Sequence, residues 1–362
     1  MITHAELEKL RSIRAPDDCV LSVYLPVPLD PAGLRGLPAR ASDLIRAAGY
    51  GPEDERAARD AVAAHARENL GQTLAIFVCC DLGLLEVVTL PGHVGDRAVW
   101  AVRPHIRPLQ AALQRHPDHR IVIIDKRRVW LLAVIEGRID IAVSAPADSM
   151  SSSGFAGWDG PASFHAHQRI TEFDKHHFRA AAAILDQAVQ GAGSQPLVIG
   201  GHADGIKRLL AELPHAVRAG YAGCFAVDPH TLTPARAREL AAPVIAAWAE
   251  QRERQMVDEV AGPASGVRAA IGLNGCLAAV NSDAADLLLI PDAGIAPGYL
   301  CERCGVLSVT GEECCDWGAA SRPVPDLLEE MALRIMHDGY DVISVREPQF
   351  SPVARLHQQV GS

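Results

Sequence analysis

The spacing of apolar and polar positions divides the chain into stretches of strand and helix period. CVLSVYLPV (Cys19–Val27) is an apolar, β-branched run closed by proline, which predicts a strand. Gly51–Leu70 has helical spacing, with Pro52 near its start and Gly71 just past its end. TLAIFVCC and Leu82–Leu90, separated by Asp81, predict consecutive strands, and Pro104–Arg115 predicts a helix. Cys79 and Cys80 fall in the first of these strands and read as core thiols. RIVIID, RVWLLAVI and RIDIAVS, joined by short polar turns, predict a meander.

A small-residue loop, SMSSSGFAG, follows, and then a long helical pattern from about Ser163. Pro196–Leu213 reads as strand, glycine turn and helix. Thr233 and Pro234 suit the N-cap and first position of a helix reaching about Val260, where Gly262 and Pro263 stop it. Beyond it, Asn274–Val280 fits a helix end with a buried-type Cys276, and DLLLIPD a buried strand. Pro323–Asp338 reads as a helix and DVISV as a final strand. The class is α/β, in three domains: 1–116, 117–250, and 251–362 with a cysteine-rich insertion at 300–318.

Composition narrows the function classes. The chain has 362 residues, 49% hydrophobic and 22% charged, the profile of a soluble globular protein. A net charge of −10 argues against a protein that coats nucleic acid generally, but allows a local basic patch. MITHAELEKLRSIRAPDD lacks the apolar core of a signal peptide, and no apolar run approaches a membrane span. A cytoplasmic protein without a membrane partner is expected. Its nine cysteines then read as buried thiols or metal ligands.

Two stretches carry candidate chemistry. Cys301 and Cys304 form C-x-x-C, followed by Cys314 and Cys315. Such thiolates on a short hairpin predict a structural zinc, with Gly305 permitting the turn after the second thiol. Adjacent cysteines do not easily aim both sulfurs at one metal, so Asp316 or a distant residue is an alternative ligand. A metal-free hairpin is the plain alternative. A thioredoxin-like site would need a helix after the motif, where Gly305 and VLSV stand instead.

The second stretch is GWDGPASFHAHQRITEFDKHHF, Gly157–Phe178. At helical spacing, His165, Arg169, Glu172, His176 and Arg179 share one face. Ile170, Phe173, His177, Ala181 and Ile184 share an apolar one, which makes His177 a core-edge residue. With Lys175 the first face becomes a cationic stripe; an ordinary solvated helix face is the alternative. His165 and His167, two apart, do not converge on a metal. GGHADG (Gly200–Gly205) lacks both the dinucleotide fingerprint and a P-loop lysine, so its glycines read as turn residues. No Ser-His-Asp arrangement is legible.

The order of these parts resembles a known family. RIVIIDKRRVWLLAVIEGR, a small-residue loop, SFHAHQRITEFDKHHFRAAAAIL and LVIGGHADGIKRLL look like the middle domain of archaeo-eukaryotic class-1 release factors and of Pelota. DAADLLLIPD, a CERC-bearing insertion and LLEEMALRIMHDGYDVISV look like their third domain. The chain is most similar to the bacterial branch, the baeRF proteins, to which the hibernation factor Balon belongs. The resemblance implies an RNase H-like middle domain and a C-terminal α/β/α sandwich with a zinc-ribbon-like insertion. It implies the ribosomal A site as the setting, with rRNA and tRNA as partners and a translational GTPase as a further candidate.

The chain departs from that family's pattern at the chemistry. Release factors place Gly-Gly-Gln on the middle-domain loop, and no Gly-Gly-Gln occurs anywhere here. The matching positions are about Asp159, Gly160, Pro161 and Ala162, where proline also removes a backbone donor. The codon-reading Asn-Ile-Lys-Ser motif is missing too. The expectation is a non-catalytic, ribosome-associated factor of hibernation or rescue type. Gly160, Pro161, Ala162, Ser163, His165, Arg169, Lys175, His176 and Arg179 would approach RNA, and Cys301, Cys304, Cys314 and Cys315 would hold zinc. The alternatives are a peptidyl-tRNA esterase and a ribosome-independent thiol or zinc stress protein.

Overall fold

A capping box starts the first helix, α1 (His4–Ser12): Thr3 Oγ1 accepts the Glu6 N–H at 3.1 Å, and the Glu6 carboxylate accepts the Thr3 N–H at 2.8 Å. The computed structural model describes residues 3–49, 51–125, 128–146, 177–188, 195–262, 266–311, 320–347 and 349–357. The chain forms two compact units, residues 1–114 with 252–362, and residues 115–251.

The first unit begins with β1 (Val20–Pro26), β2 (Thr73–Cys79), β3 (Leu84–Leu90) and β4 (Arg97–Ala101) in the order β3-β2-β1-β4, all antiparallel. β1 and β2 are buried at every position because both faces of the sheet are covered. Leu21, Val23, Ile76 and Val78 meet α2 (Pro31–Ala48) and α3 (Pro52–His65). Tyr24 and Phe77, on the other face, pack with Leu7 and Leu10 of α1 and Leu109 of α4 (Arg107–Arg115). β2 ends at Cys79, so Cys80 turns outward and is exposed, contrary to its reading as a core thiol. Its N–H is instead taken up by Asp54 at 2.8 Å.

The second unit is a five-stranded sheet of β5 (His119–Ile124), β6 (Arg128–Ile135), β7 (Arg138–Pro146), β8 (Leu197–Gly201) and β9 (Tyr221–Ala226), in the order β7-β6-β5-β8-β9. The first three form the antiparallel meander, and β8 and β9 run parallel to β5. Val122, Ile124 and Leu131 face α5 (residues 177–188), α6 (Ala203–Glu212) and α7 (His215–Ala219). Ile121, Ile123 and Leu132 face Ala237, Ala241 and Ile245 of α8 (Pro234–Ala261). This period-two split is what near-continuous apolar strands require when both faces are covered.

The first unit resumes with β10 (Ala269–Ile271), α9 (Gly272–Asn281), β11 (Ala285–Pro291), β12 (Gly298–Cys301), β13 (Leu307–Ser308), β14 (Ser321–Val324), α10 (Leu327–His337), β15 (Asp341–Val345) and β16 (Val353–Leu356). Its larger sheet has the order β10-β16-β11-β15, with β11 and β15 parallel. Leu288 and Ile290 pack with α9 and α10, and Leu287 and Leu289 with Val260 from the end of α8. DVISV is not the last strand: β16 follows it and inserts antiparallel between β10 and β11. The helix expected from Pro323 starts at Leu327, because Ser321–Val324 pairs with β12 in a small sheet ordered β13-β12-β14. No helix among the described residues is long and apolar enough to cross a membrane.

Candidate functional site

Arg179 is the one member of the expected cationic stripe that falls within the described residues. It stands on α5 with 67% of its side chain exposed, and its Nε–H donates to Glu212 Oε2 of α6 at 3.1 Å. Gly160, Pro161, Ala162, Ser163, His165, Arg169, Lys175 and His176 lie outside the described residues. His177 is buried, with Nε2 at 2.9 Å from the Asp125 carbonyl and its ring against Phe178. It is the core-edge histidine that the helical spacing predicts. The buried face of α5 also takes in Phe178, Ala181, Ala182 and Leu185, so the described part of the helix presents Arg179 outward.

The glycines of GGHADG have a different reason from the turn expected of them. Gly200 and Gly201 lie inside β8. A Cβ at Gly200 would stand 2.5 Å from the Phe225 ring of β9, and one at Gly201 would stand 2.5 Å from the backbone oxygen of Ile124 in β5. Close approach within the sheet fixes these residues, not a ligand.

The cysteine pair forms a tight turn. Cys301 ends β12 and is buried, whereas Cys304 is exposed. The Gly305 N–H donates to the Cys301 carbonyl at 3.0 Å, and the Cys301 N–H donates to the Val306 carbonyl at 2.9 Å. Gly305 has φ +74°, the left-handed conformation its position after the second thiol predicts. Arg334 of α10 donates to the Gly305 carbonyl and, at 3.3 Å, to Asn281 Oδ1, which ties the turn to the larger sheet's helices. Two thiol donors on one short turn suit half of a zinc site. Cys314 and Cys315 lie outside the described residues.

A third cluster had no sequence signal strong enough to single it out. His105, Asp326 and Glu329 bring donor atoms within 4.8 Å of one another, all buried. Asp326 caps α10: its Oδ1 accepts the N–H groups of Leu328 and Ala296, each at 3.1 Å. Its Oδ2 accepts from His105 Nε2 at 3.1 Å and Arg107 Nη2 at 2.7 Å. Glu329 Oε1 and Oε2 accept the backbone N–H groups of Ile106 at 2.9 Å and Arg107 at 3.0 Å. Arg107 further donates to the carbonyls of Pro291 and Gly294.

Every carboxylate oxygen in this cluster therefore already has a protein partner, and a guanidinium supplies the positive charge a metal would bring. The arrangement is a clamp between the first and last thirds of the chain. Burial alone would raise the Asp326 carboxyl; the hydrogen bond from His105 and the charge of Arg107 outweigh it and hold the group below the usual carboxylate range. Burial pushes the Tyr24 hydroxyl well up, with Glu329 adding to it, and that hydroxyl donates to the His105 carbonyl at 2.6 Å. The legible part of the signal was Asp326-x-x-Glu329 at a helix start, although Glu329 reaches across to Ile106 and Arg107 instead of back to its own cap.

Each of the two units is a mixed α/β fold. Residues 104–254 match the model of bacterial archaeo-eukaryotic release factor family 10. Within that segment the chain resembles the bacterial archaeo-eukaryotic release factor-like family. Among solved structures, the archaeal translation termination factor aRF1 is similar at 14% identity over 99% of each chain, TM-score 0.25. Archaeal Pelota, from a model of ribosome-bound Pelota and ABCE1, is similar at 17% identity over 80% of this chain and 78% of that one, TM-score 0.41. Dom34 of S. cerevisiae, described as a translation termination-like factor interacting with Hbs1, is similar at 9% identity over 99% and 94%, TM-score 0.42. No curated protein matches the chain.

Proposed function

We propose that this protein is a cytoplasmic, ribosome-associated translation factor of hibernation or rescue type. It occupies the A site through the segment 157–179 and does not hydrolyse peptidyl-tRNA. The observation that carries the reading is the family match over 104–254 in a chain with no Gly-Gly-Gln. Without that tripeptide the loop has no glutamine to set water against an ester, so the middle domain is left with a binding role. The order of three antiparallel and two parallel strands in the second unit supports an RNase H-like middle domain. Arg179, exposed on α5, supports a basic face toward RNA phosphates. In this reading Arg169, Lys175 and Arg179 pair with phosphates, and His165 and His176 hydrogen-bond or stack. A translational GTPase is a further candidate partner. The knuckle at Cys301 and Cys304, completed by Cys314 and Cys315, holds a structural zinc that replaces a core too small to fold alone.

Sedimentation through a sucrose cushion tests the reading. The protein should pellet with ribosomes at low ionic strength and stay in the supernatant at raised salt, as phosphate contacts require. Arg169→Ala/Arg179→Ala should abolish co-sedimentation. Failure to pellet at low salt, or an unchanged double variant, would overturn the assignment, as would release of peptide from stalled complexes.

A further inference from the structure

The first unit contains a cavity of about 760 Å³. Arg11, Arg14, Arg103, Arg303, Arg322 and Arg334 line it. They arrive from separate places: the end of α1 and the segment after it, the segment after β4, the cysteine knuckle, β14 and α10. Among the described residues Glu8, Glu302 and Glu330 are the carboxylates of the lining, and Asp18 reaches Arg322 at 3.8 Å, so two positive charges are in excess there on a protein whose net charge is −10. Converging guanidiniums repel one another unless an anion lies between them, and a concave wall of one sign focuses its field on the space it encloses.

Several of these groups are already aimed. Arg11 is held by Glu8 at 2.5 Å, and Arg334 by Asn281 and the Gly305 carbonyl. Arg103, Arg322 and Arg14 act together on Glu330. Burial is the largest influence on that carboxyl and pushes it up in spite of the three arginines. Glu330 thus marks the less hydrated end of the cavity, where bonds from guanidinium to phosphate strengthen. Leu300, Leu307 and Leu333 add an apolar strip to the lining.

We propose that this cavity binds a small organic polyphosphate of nucleotide size, its phosphates held by the arginines and its organic part against the leucines. The volume lies in the range of roughly 300–1,000 Å³ typical of small-ligand sites. The fork of each guanidinium matches phosphate oxygens in pairs. Phe, Tyr and Trp are missing from the described lining, which removes the stacking platform that a single strand of RNA would use.

Calorimetric titration of the full chain with ATP and with GTP, in the absence of ribosomes, tests this independently of the ribosome reading. Saturable binding of at least one nucleotide is expected, with sodium tripolyphosphate at least tenfold weaker. Arg103→Ala/Arg322→Ala should weaken the nucleotide at least tenfold. Arg14→Glu, at an exposed position, should do the same with an unchanged circular dichroism spectrum. No saturable binding at millimolar nucleotide and low salt would overturn the proposal. So would unchanged affinity in Arg14→Glu, equal affinity for tripolyphosphate, or tighter binding of a 5′-phosphorylated RNA octamer.

Discussion

Arg107, fully buried, donates through Nη2 to Asp326 Oδ2 at 2.7 Å, across 219 residues of chain. The pair joins the start of α4 to the N-cap of α10, with His105 on the same carboxylate oxygen. A buried charge is tolerable only while its partner is present. Asp326→Ala leaves the guanidinium unpaired and also uncaps α10, so it should destabilise the protein by about 3–5 kcal/mol. Urea unfolding monitored by circular dichroism reads the loss; a shift under 1 kcal/mol would mean the clamp does not hold the unit together.

The same carboxylate sets an acid limit. Its folded value lies below the ordinary one, near 3.9 for an unfolded aspartate. Its stabilisation is therefore fully present above about pH 4 and lost as pH falls through the folded value. Glu330 has the opposite sign: burial raises its folded value, so its contribution is present below its unfolded value and fades as pH rises. Asp326→Asn should flatten the acid limb of a stability–pH profile, and Glu330→Gln should raise stability at neutral pH.

The glycines of β8 separate two kinds of clash. Gly200→Ala drives a methyl into the Phe225 ring, which a smaller residue at 225 would relieve. Gly201→Ala drives one into the Ile124 backbone oxygen at a φ of +152°, which no side-chain change relieves. Both should lower stability by about 1–3 kcal/mol. Adding Phe225→Leu should restore the first variant in part, because the contact with Ile123 Cδ1 at 2.8 Å remains, and leave the second unimproved, as thermal melts would show.

Arg179 offers a test in which stability and function part. Its ion pair with Glu212 is exposed, so Arg179→Ala should change stability by no more than about 1 kcal/mol. Ribosome co-sedimentation of that variant should nevertheless weaken. A variant that bound normally would return Arg179 to the role of an ordinary solvated residue.

Metal analysis addresses the knuckle. Purified protein should carry about one zinc per chain, and Cys301→Ser/Cys304→Ser should carry none and melt at a lower temperature. Metal-free wild-type protein with an unchanged melt would leave the turn to its backbone hydrogen bonds alone.

The sequence made β1, β2 and the meander legible because their apolar runs are long and end in turn residues. α2 was not among the predicted elements: Gly33, Gly36 and Pro38 weaken its helical pattern, although Asp30 caps it by accepting the Gly33 N–H at 2.7 Å. β16 escaped because four residues carry little periodicity; its place is set by the neighbours β10 and β11. At the site level, His177 and Gly305 were legible, since local spacing decides both. The clamp and the arginine cavity were not. Each is assembled from segments remote in sequence, and His105 or Arg103 taken alone looks like any polar residue near a turn.

The clamp also orders events during synthesis. Arg107 leaves the ribosome more than two hundred residues ahead of Asp326 and Glu329, and the whole inserted five-stranded unit is translated in between. Arg107 therefore stays without its carboxylate partner until α10 has been made. A chain that stopped before α10 would lack both carboxylates of the clamp, Asp326 and Glu329.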